Sequence, residues 1–349
     1  MSGILEEAYQ RFHTTGPEFD GGLTNHGPMA VEAMARHGHE GAVHAWIDWY
    51  QDRLDDVPRG LNPVTDENWR EALGDMTRVA DWTTYMLREV QLRPWRELLI
   101  EWWPRLIPGI IAGSTHGVIR VGHAVRALAE DETATGPRLE EFAYALAYWA
   151  ARWKLLGVST PPRFGTAEAE AALAEVPGVA EQKISITHRL GQLADTPGFS
   201  AAFDALRTPE TPQQAAELLA AVTDAAVRDY LLRGHANPVM LVHASTAPTA
   251  VLRTLPVLPT ELWIPSLDAA WLATTAVTAA YRNTQAPAEE IAEVVAQTEG
   301  AQETFDRAVR HRDEHVVKLA DAALDSYERT GGGDALAAAT RATLMIKQE

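Results

Sequence analysis

The chain reads as an all-α protein, a single multi-helix domain over residues 1–349. Three observations predict this. Apolar residues recur at helical spacing in segment after segment, as with Val43, Trp46, Ile47, Trp49 and Tyr50. Alanine-rich runs such as 167–174 are strong helix formers. No run shows the sustained period-two alternation of β-branched residues that a strand needs.

Taken in order, Pro28 suits the first turn of a helix over 29–38. A second helix spans 40–54, and a loop follows over 58–63. Amphipathic helices are expected over 68–73 and 78–90, then over 94–100 and 107–128, the last interrupted by Gly109, Gly113 and Gly117. The segment 140–156 is strongly apolar and carries Tyr144, Tyr148, Trp149 and Trp153. A Pro-rich loop covers 159–165, and two shorter helices fall around Pro177 and Pro197. Pro212 opens an amphipathic helix over 211–231. Buried helices are expected over 239–255 and 266–281. Helices over 287–297, 303–327 and 334–347 close the chain, parted by Gly300 and the glycines at 331–333. No fixed-period repeat is present, and no linker is long enough to demand two domains.

Hydrophobic content of 46% and charged content of 22% give an ordinary globular balance. The net charge of −18 argues against nucleic acid and against an anionic membrane surface. No apolar stretch reaches the ~18 residues of a membrane span. Residues 1–10 carry Glu6 and Glu7 and lack a secretion pattern, so a cytoplasmic location is expected. With no cysteine there are no disulfides, thiol nucleophiles or thiolate metal sites. No G-x-G-x-x-G or P-loop is present, so binding of a nucleotide, NADPH included, has no motif behind it.

Twelve histidines remain, and four lie where a surface histidine would be out of place. Imidazole is a natural ligand for zinc, copper, iron and nickel when thiolate is absent. His26 stands in Thr-Asn-His-Gly-Pro, a sequence that also reads as a turn. His116 shares a helix face with Arg120 and His123, beside glycines that permit close approach. His243 lies in an apolar segment, either bonding a backbone carbonyl or binding metal as the neutral ring. His315 and Lys318 share a face among apolar neighbours, with His311 one turn earlier. A lysine buried there loses its charge more readily, and a neutral amine is what carbon dioxide needs to form a carbamate. The plain alternative pairs Lys318 with Asp321 or Glu314. His13, His37, His39, His44 and His188 read as solvated, and a loop accounts for His235. Eleven tryptophans are mostly core, with some available to line a pocket for a flat aromatic ligand.

These segments resemble the questin oxidase-like family. The resemblance rests on Asn25-His26-Gly27-Pro28, the glycine-rich stretch 109–122 around His116, Val242-His243-Ala244-Ser245-Thr246 and His315-Val316-Val317-Lys318, found in order over almost the whole chain. It implies an all-helical oxygenase that cleaves or oxidises an anthraquinone-type aromatic polyketide with dioxygen. It also implies a metal site in the helical core: Fe(II) held by His26, His116, His243 and His315, with carbamylated Lys318 as a further ligand. Fungal relatives tend to carry a second histidine where Arg120 stands. Arginine cannot bind a cation but can hydrogen-bond a phenolate or quinone oxygen, which makes Arg120 the candidate catalytic residue. The rival expectations are an NADPH-assisted Baeyer–Villiger monooxygenase and a non-catalytic helical binding protein for aromatic polyketides.

Overall fold

The computed structural model describes residues 3–131, 136–158, 163–183 and 185–348. Among them are 18 α-helices and one short two-stranded hairpin, so the protein is all-α. They cluster into two compact units: Met1–Leu155 with Arg253–Pro259, and Leu156–Leu252 with Thr260–Glu349. No described helix is long and apolar enough to cross a membrane.

The first unit contains α1 (Ile4–Phe12), α2 (Gly27–Arg36), α3 (Glu40–Tyr50), α4 (Trp69–Ala72), α5 (Val79–Leu92), α6 (Trp95–Leu106), α7 (His116–Ala129) and α8 (Pro137–Arg152). Its core is aromatic: Trp82, Trp102, Trp103 and Trp149 are fully buried, and Trp102 meets Trp82 edge-on at 5.4 Å. Helix α7 packs against α8 because position 117 has no side chain. A Cβ on Gly117 would stand 2.6 Å from Cδ1 of Trp149. The hairpin pairs β1 (Glu18–Phe19) with β2 (Leu23–Thr24) and delivers the chain into α2 at His26. Helix α1 was not anticipated from the sequence. The expected helix over 107–128 is also two things: tight turns up to Thr115, then α7 from His116 onward.

The second unit contains α9 (Ala169–Ala174), α10 (Ile186–Gly191), α11 (Phe199–Ala205), α12 (Pro212–Arg233), most of α13 (Val242–Thr254), α14 (Trp263–Ala280), α15 (Ala288–Gln297), α16 (Ala301–His311), α17 (Glu314–Thr330) and α18 (Gly333–Met345). Pro212 and the Thr211 cap, whose hydroxyl accepts from Gln214 N, start α12 where expected. Helix α13 is tied to α14 by Thr274 Oγ1, which donates to Ala244 O at 3.1 Å. The single helix expected over 303–327 is broken at Arg312, which takes φ 72°. Asp313 then caps α17 by accepting from His315 N at 2.8 Å and Val316 N at 3.2 Å. The loop expected over 159–165 lies partly outside the described residues, at 159–162.

Candidate metal centre

In the first unit His26 and His116 come together, each at the N-terminal start of its helix. His26 precedes α2, with its backbone N–H donating to Tyr50 Oη at 2.7 Å. His116 is the first residue of α7, and both side chains are buried. Their Nε2 atoms stand 2.6 Å apart.

The backbone before His116 is unusual. Gly113 (φ 54°, ψ 37°), Ser114 (φ 57°, ψ 41°) and Thr115 (φ 72°, ψ 0°) make a left-handed turn. That conformation costs about 1–2 kcal/mol for each non-glycine residue. Strain of this kind persists where the surroundings over-determine it, commonly at functional sites. Here the turn brings the Gly113 carbonyl onto Nδ1 of His116. Nδ1–H therefore donates to a carbonyl, and Nε2 of His116 carries the lone pair. The second proton of the pair sits on Nε2 of His26, which donates across the gap. A ligand histidine is held in this way, its far nitrogen anchored by a carbonyl or carboxylate.

The second unit carries a similar pair. His243, buried at the start of α13, donates from Nδ1 to Met240 O at 3.1 Å. His315, in the first turn of α17, places Nδ1 3.5 Å from Asp313 and 3.9 Å from Glu314. The two rings meet edge-on at 5.5 Å, and one nitrogen of each lies within 4.8 Å of the other. Asp313, Glu314 and His315 also offer donor atoms within 4.8 Å of one another. Burial pushes the Glu314 carboxyl up. For Asp313, burial is outweighed by the hydrogen bond from His315, which holds it below its ordinary value.

Lys318 stands one turn after His315 and is 1% exposed. Its Nζ has no hydrogen-bond partner among the described residues, so the plain pairing with Asp321 or Glu314 is not formed. Burial pushes its ammonium down to about 8, against the opposing charges of Glu314 and Asp313. His311 is parted from His315 by the break at Arg312, and its Nε2 donates to Ile346 O at 2.9 Å.

These residues fit a metal ion. Two nitrogens bonded at ~2.1 Å and right angles to one ion stand about 3 Å apart, close to the His26–His116 spacing. In two of the four rings, His116 and His243, Nδ1 is bonded to a backbone carbonyl, leaving Nε2 as the donor. Buried histidine clusters in each unit could thus hold a metal.

Arg120, one turn beyond His116, is 3% exposed and paired with Glu141. Nε donates to Oε1 at 2.6 Å and one terminal nitrogen to Oε2 at 2.8 Å. Glu141 also accepts from Nε2 of His13 at 3.1 Å, so His13 is no solvated histidine. It stacks on Tyr144 at 4.2 Å. Burial raises the Glu141 carboxyl, but Arg120 and His13 outweigh it and hold the group below its ordinary value. His123 belongs to a separate cluster, donating from Nδ1 to Glu32 at 2.6 Å beside Arg126. The sequence reading missed both acids. Their signal was a glutamate flanked by apolar residues, Val31-Glu32-Ala33 in α2 and Glu141-Phe142-Ala143 in α8.

No protein-family model matches the chain, and no curated protein matches it.

Proposed function

We propose that the protein is a non-haem iron-dependent oxygenase acting on an aromatic polyketide of the anthraquinone type. In this reading His26, His116, His243 and His315 serve one iron(II), with carbamylated Lys318 as an oxygen ligand. The observation that carries it is the pair of Nδ1 anchors on His116 and His243, which present Nε2 as a donor in buried rings.

The partnerless, buried Nζ of Lys318 supports the carbamate. Its neutral nitrogen would add its lone pair to the carbon of carbon dioxide and lose one proton. Glu314, one turn away and with its carboxyl pushed up by burial, can take that proton. Bound iron would supply the redox chemistry that lets dioxygen react with a closed-shell aromatic ring. Arg120 would orient a substrate oxygen from α7, one turn from His116. A cytoplasmic setting and a small aromatic substrate complete the proposal.

The test is oxygen uptake by iron-loaded protein with an anthraquinone-type substrate and no NADPH. Uptake that needs iron and substrate alone supports the reading. Uptake that starts only with NADPH favours a Baeyer–Villiger monooxygenase. Substrate binding that survives chelation, without uptake, favours a carrier.

A further inference from the structure

The first unit contains a cavity of about 270 Å³ that the metal ligands do not line. It lies beside them: Asn25 in its wall precedes His26, and Arg120 in its wall follows His116 by one helical turn. Phe12, Pro58, Val79 and Leu87 make much of the lining apolar, and none of the tryptophans takes part. The ring of Tyr144 forms a flat wall, held by its stack on His13.

Arg120 is the charged group in this lining. Two of its three nitrogens are bound to Glu141, and the third, Nη1, has no partner among the described residues. Nη1 is open to the cavity rather than sealed off, so a ligand oxygen that accepts from it takes the place of water. The charge of Arg120 is already balanced by Glu141. A carboxylate or phosphate would add an uncompensated buried charge, whereas a carbonyl or phenol oxygen would not.

Size sets a second limit. A cavity of roughly 150 Å³ holds one benzene. The space here is a little under twice that, enough for two rings and too small for three fused ones.

We infer that this cavity binds an uncharged one- or two-ring molecule whose oxygen accepts from Nη1 of Arg120, with Glu141 as a positioning residue that sets the preference for neutral ligands. The size limit stands against an intact three-ring anthraquinone in this cavity, so tightest binding of anthraquinone would overturn this inference and favour the substrate class proposed above. The preference itself rests on none of the metal ligands, so it can be tested on chelator-dialysed protein.

The experiment measures equilibrium binding of four probes to the wild-type chain: α-tetralone, tetralin, naphthoate and anthraquinone. We expect α-tetralone to bind at least ~10-fold more tightly than tetralin, which has the same rings without the carbonyl. Naphthoate should bind more weakly than α-tetralone, and anthraquinone should bind least. Arg120→Met should abolish the preference for α-tetralone over tetralin. Glu141→Gln should shift it toward naphthoate, a reversal that a purely structural role would not produce. Equal binding of tetralin and α-tetralone overturns the inference. So does tightest binding of naphthoate or anthraquinone, or no binding of any probe. These wild-type comparisons decide the matter even if a variant fails to fold, and a failure of metal uptake leaves them unchanged.

Discussion

Nε2 of His26 and Nε2 of His116 face each other at 2.6 Å in a buried setting, one donating and one accepting. A metal ion bound by both Nε2 atoms needs the bridging proton to move from Nε2 of His26 to its Nδ1, a change of tautomer with no net proton release from two neutral rings. Cobalt(II) added to chelator-treated protein should therefore give absorption bands of a nitrogen-ligated ion in the wild type that are weakened in His26→Ala and in His116→Ala. Cobalt titration followed by visible absorption checks this. Identical bands and affinity in wild type and both variants would remove the pair from the ligand set.

The contact between α7 and α8 gives a prediction about packing. A methyl group on Gly117 meets three atoms of the buried Trp149 at 2.6–2.8 Å, so the indole or the helix must shift. Gly117→Ala should lower unfolding free energy by about 1–3 kcal/mol, despite the better helix propensity of alanine. Urea denaturation measures it, and an unchanged midpoint would mean the helices do not pack as described.

Lys318 should weaken the metal-free protein. Its ammonium, pushed from 10.5 to about 8 by burial, binds its proton less readily folded than unfolded. The penalty is therefore complete below pH 8 and fades as pH rises through 10.5, amounting to about 3 kcal/mol at pH 7. Lys318→Met should stabilise metal-free protein by ~2–3 kcal/mol at pH 7 and by little above pH 10.5. In metal-loaded protein the same substitution should destabilise, because it removes the carbamate. Stabilisation of both forms would argue against Lys318 as a ligand.

Glu32 acts in the opposite sense. Burial raises its carboxyl, but Arg126 and His123 pull it down from 4.5 to about 2. It contributes stability that is present above pH 4.5 and lost as pH falls toward 2, roughly 3 kcal/mol in all. The stability difference between wild type and Glu32→Gln should shrink steadily over that range. A difference independent of pH would mean the cluster does not hold a charged glutamate.

Much of the fold was legible because helices announce themselves through period and caps. Pro28, Pro137 and Pro212 all stand in first turns. The break at Arg312 was not legible, since an arginine in a left-handed conformation carries no sequence mark. The division into two units was equally hidden. The chain crosses from one to the other at 155, 252 and 259 without a linker. At the site, each histidine that the motifs pointed to is buried, and the structure pairs His26 with His116 and His243 with His315. Their anchors are backbone carbonyls of Gly113 and Met240, which every residue possesses and no composition reveals. The Arg120–Glu141–His13 chain escaped because its members lie on three different helices or their ends, 128 residues apart at the extremes.

The central claim is that the buried histidines serve a metal ion. Elemental analysis of protein prepared without chelator, alongside His116→Ala and His315→Ala, tests it most directly. The account predicts about one equivalent of iron in the wild type and a loss of most of it in each variant. Less than ~0.1 equivalent of any transition metal in the wild type, with both variants unchanged, would contradict it.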